Sequence, residues 1–173
     1  MQITISEQLW KQLMQESLKG VIRLLDASHN LLLNSGNKEI CAGLYAYAIE
    51  EYGKYLLLKQ NTPTNGKVAI DYVEIFREKR HKIKFETAIN DLKKQAPECI
   101  NLAKGLFDPE IFDPNIFDTR PPVEVNFQAR MGIFYCDLSN SKNEIMQVPL
   151  VDENLLKTAI VKLRNIANNL VML

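Results

Sequence analysis

The 173-residue sequence is poor in the side chains from which most enzyme and metal sites are built: two histidines, one tryptophan and three cysteines. Cys41, Cys99 and Cys136 have no paired spacing. That excludes a disulfide framework or a zinc ribbon and suits reduced, buried thiols in the cytosol. There is no His-x-x-x-His or Cys-x-x-Cys, so no metal site is expected. Net charge is also lacking, because 21 Lys and Arg balance 21 Asp and Glu. Nothing global draws the chain to nucleic acid or to an anionic membrane, and RNA contact would need a local basic patch. The opening Met-Gln-Ile-Thr-Ile-Ser has no charged stretch followed by an apolar one, so no signal peptide is expected. No apolar run is long enough to span a bilayer. Phosphate loops, dinucleotide-binding glycine motifs and nucleophile elbows are missing, and no cofactor is expected.

What remains is the composition of a soluble globular protein, 46% hydrophobic and 24% charged. Its length fits one domain, residues 1–173, with a substantial core. From Ser6 to Asn34, apolar residues recur at three- and four-residue steps (Leu9, Trp10, Leu13, Val21, Leu24, Leu25, Leu31, Leu32), which predicts an amphipathic helix capped by Ser6. Ser35-Gly36-Asn37 reads as a stop and restart. From Lys38 to Gln60 the chain is apolar almost all round except Glu50, Glu51 and Lys54, which predicts a helix central to a bundle. Thr62-Pro63-Thr64-Asn65-Gly66 breaks the chain.

A third helix is expected from Lys67 to Gln95, with one stripe at Ala69, Tyr72, Val73 and Phe76 and a second at Phe85, Ala88 and Leu92. Pro97 interrupts it, and 98–106 reads as a short helix. Residues 107–122, with Phe-Asp-Pro twice, read as a loop, 123–131 as a short helix and 132–149 as a small hairpin. Asp152 caps a last amphipathic helix running to Leu173, with Leu156, Ala159, Ile160, Leu163, Ile166, Ala167 and Leu170 as its stripe. The fold class is therefore all-α: an antiparallel bundle of four long helices with a short irregular or hairpin excursion before the last.

Three constellations could carry chemistry. Glu50, Glu51 and Lys54 share a sector of the second helix, and Glu50 stands four residues before Lys54 in the favourable order for an ion pair. They are either the one solvated stripe of a buried helix or a buried charge cluster. Burial would demand a partner, with His81, Lys84, Arg77 and Arg130 available. Arg77, His81 and Lys84 share a face of the third helix, and a histidine held near carboxylates can act as general acid or base. The basic run from Arg77 to Lys84 is either a solvated face or a receiver of RNA phosphate. Asp137 could accept a charge-assisted bond from Arg130 and so fix the excursion to the bundle. Asp26 and His29 read as a local polar pair.

Leu25-Asp26-Ala27 together with Ala42-Gly43-Leu44-Tyr45-Ala46-Tyr47-Ala48-Ile49-Glu50-Glu51-Tyr52-Gly53-Lys54 resembles the signature of AbiV-like abortive-infection proteins, whose alanine-rich helix ends in Glu-Glu-x-Gly-Lys. His81-Lys82-Ile83-Lys84 is similar to that family's basic segment. Arg130-Met131-Gly132-Ile133-Phe134-Tyr135-Cys136-Asp137, followed by Pro149, is similar to its Arg-x-x-Gly-x-Tyr-x-Asp segment. The resemblance implies a HEPN-like helical bundle, a role in resistance to phage or other genetic parasites, and a homodimer; with the cytosol read from the cysteines, the leading expectation is a cytoplasmic protein that acts on RNA or the translation machinery. HEPN proteins are often ribonucleases with an Arg-polar-(three to five residues)-His motif. Here Arg164-Asn165 has the right opening, but Asn169 stands where the histidine would be, and Arg77 precedes His81 by too few residues.

If the chain cleaves RNA without a metal, His81 is the acid or base, Arg77 or Lys84 stabilises the phosphorane charge, and Glu50, Glu51 and Lys54 orient them. Arg130, Tyr135, Asp137, Arg164 and Asn165 are further candidates. The rival expectation is a non-catalytic helical module that binds a phage or host protein, in which the charges only specify the bundle. A small-molecule site would need a cavity near Tyr47 and Lys54.

Overall fold

The computed structural model describes residues 1–76, 81–97, 99 and 151–172. The elements expected within 100–150, namely the loop, short helix and hairpin, lie outside the described residues, as do the charged residues 77–80. The chain is mostly helical: strand β1 (Gln2–Ser6), helices α1 (Glu7–Ser35) and α2 (Lys38–Lys59), strand β2 (Lys67–Asp71), helices α3 (Tyr72–Phe76) and α4 (His81–Gln95), and finally α5 (Glu153–Val171). No helix among the described residues is long and apolar enough to cross a membrane.

The helix ends follow the capping residues. Ser6 Oγ accepts from the Leu9 amide at 3.2 Å, Asn37 Oδ1 from Ile40 at 3.1 Å, and Asp152 Oδ1 from Asn154 and Leu155 at 2.8 and 3.0 Å. Helix α2 is buried over most of its surface because α1, α4 and α5 all pack on it. Along α1 and α2 the contacts run in opposite senses. The Trp10 indole N–H donates to Leu58 O at 2.8 Å near one end, and Ser28 Oγ donates to Cys41 O at 2.8 Å near the other. The first bond adds to the cap of α2, since Leu58 O also accepts from the Asn61 amide at 3.2 Å. One core joins α1, α2, α4 and α5 around Leu25, Tyr45, Ile49, Tyr52, Leu92, Ile160 and Leu163.

The expected third helix is corrected at its start. Residues 67–71 form a strand that pairs antiparallel with β1, Ile3 opposite Ile70 and Ile5 opposite Val68. Val68 and Ile70 are fully buried while Lys67 and Ala69 are exposed, a two-residue alternation that no helix could satisfy. The turn before the strand has both central residues left-handed, Asn65 at φ 51° and Gly66 at φ 71°, the pairing that suits a tight hairpin. The ribbon covers a second, smaller core of Trp10, Leu57, Leu58, Val68, Ile70 and Ile75. Asp71 then turns the chain into α3, its Oδ1 accepting from the Val73 and Glu74 amides at 2.9 and 3.3 Å.

Candidate functional site

Helix α2 carries its charges toward two different neighbours. Glu50 faces α4, where Lys84 Nζ lies 3.3 Å from its Oε1, and both residues are only 6% exposed. The approach that permits this pair is set one turn further along α2. A Cβ built on Gly53 would stand 1.8 Å from Lys84 O and 2.5 Å from Lys84 C. Glycine is required there because the backbone of α4 occupies the space of a side chain. Of the four cations open to a buried Glu50 in the sequence, Lys84 is brought to it, whereas Arg77, Arg130 and the side chain of His81 lie outside the described residues.

The expected Glu50–Lys54 pair does not form. Lys54 Nζ instead reaches the two carboxylate oxygens of Glu51 at 3.2 and 3.4 Å, and lies 5.5 Å from the centre of the Phe76 ring. The reason is rotational. Glu50 and Glu51 are about 100° apart on the helix, so one points into the α2–α4 contact and the other toward α1. Glu51 and Lys54 are partly exposed and line an open cleft of about 490 Å³ between α1 and α2.

Arg164 on α5 is held across the bundle, its Nη1 3.0 Å from Asp26 Oδ1 on α1. Asp26 thus takes Arg164 as its partner, in place of the local pair with His29 that spacing suggested. Asn165 and Asn169 are exposed. His81 opens α4, three residues before Lys84. Its side chain, Arg77, and the whole of Arg130, Tyr135 and Asp137 lie outside the described residues.

Two polar groups escaped the sequence reading. The Tyr52 hydroxyl donates to Asp91 Oδ2 at 2.6 Å, and Gln95 Nε2 donates to the same oxygen at 2.7 Å. Burial, and then the Asp91 carboxylate, push the Tyr52 phenol well above its ordinary range, so it stays a protonated donor. Tyr45 is fully buried and donates to Cys99 O at 3.1 Å. The two tyrosines stand seven residues apart on α2 and point at the same partner segment. Their spacing was visible in the sequence, but their acceptors were not. Cys41 and Cys99 are buried free thiols, and burial raises the Cys41 thiol above its usual value. Among the described residues, no three His, Cys, Asp or Glu side chains gather as metal ligands.

These contacts are structural in kind. A carboxylate and an ammonium buried against each other offer no face to a substrate. The Asp26–Arg164 and Glu51–Lys54 pairs are partly open to solvent and could still meet a ligand. No family model, curated protein or solved structure matches the chain.

Proposed function

We propose that this chain closes its four long helices into an antiparallel bundle and serves as a phage-resistance protein of the abortive-infection type, acting as a non-catalytic module that binds a phage or host protein. The bundle is supported by the opposed senses in which α2 meets both neighbours. Trp10 and Ser28 of α1 bond to Leu58 and Cys41 of α2, while Tyr52 and Tyr45 of α2 bond to Asp91 and Cys99. The defence role rests on the AbiV-like segments, above all Glu50-Glu51-Tyr52-Gly53-Lys54. The same resemblance has the protein act as a homodimer, and the unpaired cysteines place it in the cytosol in this reading.

One observation favours binding over catalysis: the Glu50–Lys84 pair. Lys84 was a candidate to stabilise phosphorane charge, which requires an ammonium that substrate can reach. Here it is 6% exposed and spent on a carboxylate from another helix. Gly53 serves the same contact. Glu50, Gly53 and Lys84 thus work together as a helix–helix joint, and a buried joint of this kind sets the orientation of the bundle.

Plaque counts with the wild-type gene, His81→Ala and an empty vector test the reading, with folding of the purified variant followed by circular dichroism. The expected result is equal restriction by wild type and folded His81→Ala, with no cleavage of total or transfer RNA by the purified protein. Loss of restriction in a folded His81→Ala protein, together with RNA cleavage by the wild type, would replace the module by a ribonuclease centred on His81. No restriction by the wild type would remove the defence role.

A further inference from the structure

The two edges of the β1–β2 ribbon are not alike. At the ends of the ladder, the Tyr72 amide donates to Met1 O at 3.0 Å and the Glu7 amide to Gly66 O at 2.9 Å. In an antiparallel pair, residues bonded to the facing strand alternate with residues turned away from it. Ile3 and Ile5 therefore bond to Ile70 and Val68, while Gln2, Thr4 and Ser6 on β1, and Lys67, Ala69 and Asp71 on β2, turn their main chain outward. The β2 edge is closed at both ends. Thr64 exchanges two main-chain bonds with Lys67, at 2.8 and 3.1 Å, and Asp71 turns the chain into α3. The β1 edge is open: the outward amides of Gln2, Thr4 and Ser6 have no acceptor among the described residues. It also lacks the guards of an edge strand, since Gln-Ile-Thr-Ile-Ser has no charge and no proline, and its pairing has no bulge.

We propose that this edge pairs antiparallel with β1 of a second copy of the chain, about a twofold axis at Thr4, and joins two ribbons into one four-stranded sheet. The interface rests on the homodimer proposed for the chain and says where its two copies meet. In this register the strand is self-complementary. The twofold sets Thr4 opposite the partner's Thr4 and Gln2 opposite the partner's Ser6, the residues whose main chain is turned outward. Ile3 then lies beside the partner's Ile5. Both isoleucines are only half-buried within one chain, so the apolar layer of one ribbon continues into the next. An uncharged strand also meets its own copy without like charges. Three of the eight large apolar side chains left exposed among the described residues stand at the ends of β1: Met1 before it, Tyr72 bonded to Met1, and Leu9 in the first turn of α1. Antiparallel pairing brings each end of one strand to the opposite end of its mate, so Met1 and Tyr72 come near the partner's Leu9. The patch is small beside the roughly 800 Å² per partner of a standard interface, so dissociation in the micromolar range is expected.

Sedimentation velocity of the full chain, over a concentration series spanning the micromolar range, tests the pairing. The wild type should pass from one chain mass to two as concentration rises. Thr4→Pro removes an outward amide that the β1–β2 ladder does not use, so it should keep the circular dichroism of the wild type and stay monomeric. The Thr4 side chain is exposed, so Thr4→Lys and Thr4→Glu should fold as well. Each sets like charges opposite one another at the axis and should be monomeric alone, whereas an equal mixture of the two should dimerise again. A dimer unmoved by Thr4→Pro and Thr4→Lys overturns the edge and leaves the homodimer standing, and a mixture that stays monomeric overturns the register. A wild type that is monomeric throughout overturns both; if Thr4→Pro then loses phage restriction as well, the edge belongs to a strand of a phage or host protein. The defence role stands or fails on wild-type plaque counts, so its failure is distinguishable from that of the interface.

Discussion

The substitution Gly53→Ala puts the helix–helix joint to a direct test. An alanine Cβ at this position would stand 1.8 Å from Lys84 O, and the obstructing atoms are backbone, so no rotamer change relieves the clash. To restore an ordinary 3.4 Å contact, α4 must retreat from α2 by about 1.6 Å. That retreat would stretch the 3.3 Å Glu50–Lys84 contact and leave two buried charges poorly matched. Overpacking of a tight contact costs roughly 1–3 kcal/mol, and this one belongs at the upper end. Loosening the buried pair adds roughly 1–2 kcal/mol. The better helix propensity of alanine returns about 0.5–1 kcal/mol. The net loss is about 3 kcal/mol, a large share of the ~5–15 kcal/mol by which domains are stable. For a chain of this size it lowers the melting temperature by about 6–12 °C. Urea and thermal unfolding followed at 222 nm would measure it, with Gly20→Ala as the internal comparison. Both changes replace a helical glycine, but at Gly20 the contacts are ordinary, so stability there should rise by about 0.5–1 kcal/mol. If Gly53→Ala is as stable as wild type, the close approach of α4 is wrong, and with it the reading of Glu50 and Lys84 as a joint.

Two other perturbations have definite signs. Lys84→Met removes the cation beside a buried carboxylate and should cost about 3 kcal/mol, whereas Glu50→Leu with Lys84→Met should recover most of that loss in a urea double-mutant cycle. Asp71 is held below its ordinary pKa of 3.8, chiefly by the Glu74 amide, with the Met1 ammonium and the Val73 amide assisting. The unfolded chain therefore takes up this proton at a higher pH than the folded one. The stabilisation is present above pH 3.8 and lost as pH falls through the lower folded value. Asp71→Asn, which keeps an acceptor for the α3 amides, should give an acid-side urea midpoint that depends less on pH than the wild type's.

Short-range signals in the sequence were dependable. Ser6, the Gly36-Asn37 restart and Asp152 marked helix ends within a residue, because capping is a contact between near neighbours. The start of the third segment misled because Ala69, Tyr72, Val73 and Phe76 do stand at helical steps, although Val68 and Ile70 are the buried pair. The Asn65-Gly66 turn was the available clue, but the partner strand lies more than sixty residues upstream, and periodicity says nothing about pairing at that range. The site shows the same limit. Burial of Glu50 implied a cation from elsewhere, yet Lys84 is 34 residues away in sequence and was one of four choices. Asp26 and Arg164 are 138 residues apart, and nothing local in either segment pointed to the other.

The ribbon has a kinetic meaning as well as a structural one. Strand β1 has nothing to pair with until α1 and α2 have folded back on each other, since only that hairpin carries Lys67 to the neighbourhood of Ser6. Joining the two strands in a bare chain would mean closing a loop of some sixty residues, whereas after the helices meet, most of that entropy has already been lost. The strands therefore come together late, as a clasp on a finished hairpin. During synthesis the first six residues wait unpaired until the chain has grown past Asp71, their isoleucines open to solvent for that interval.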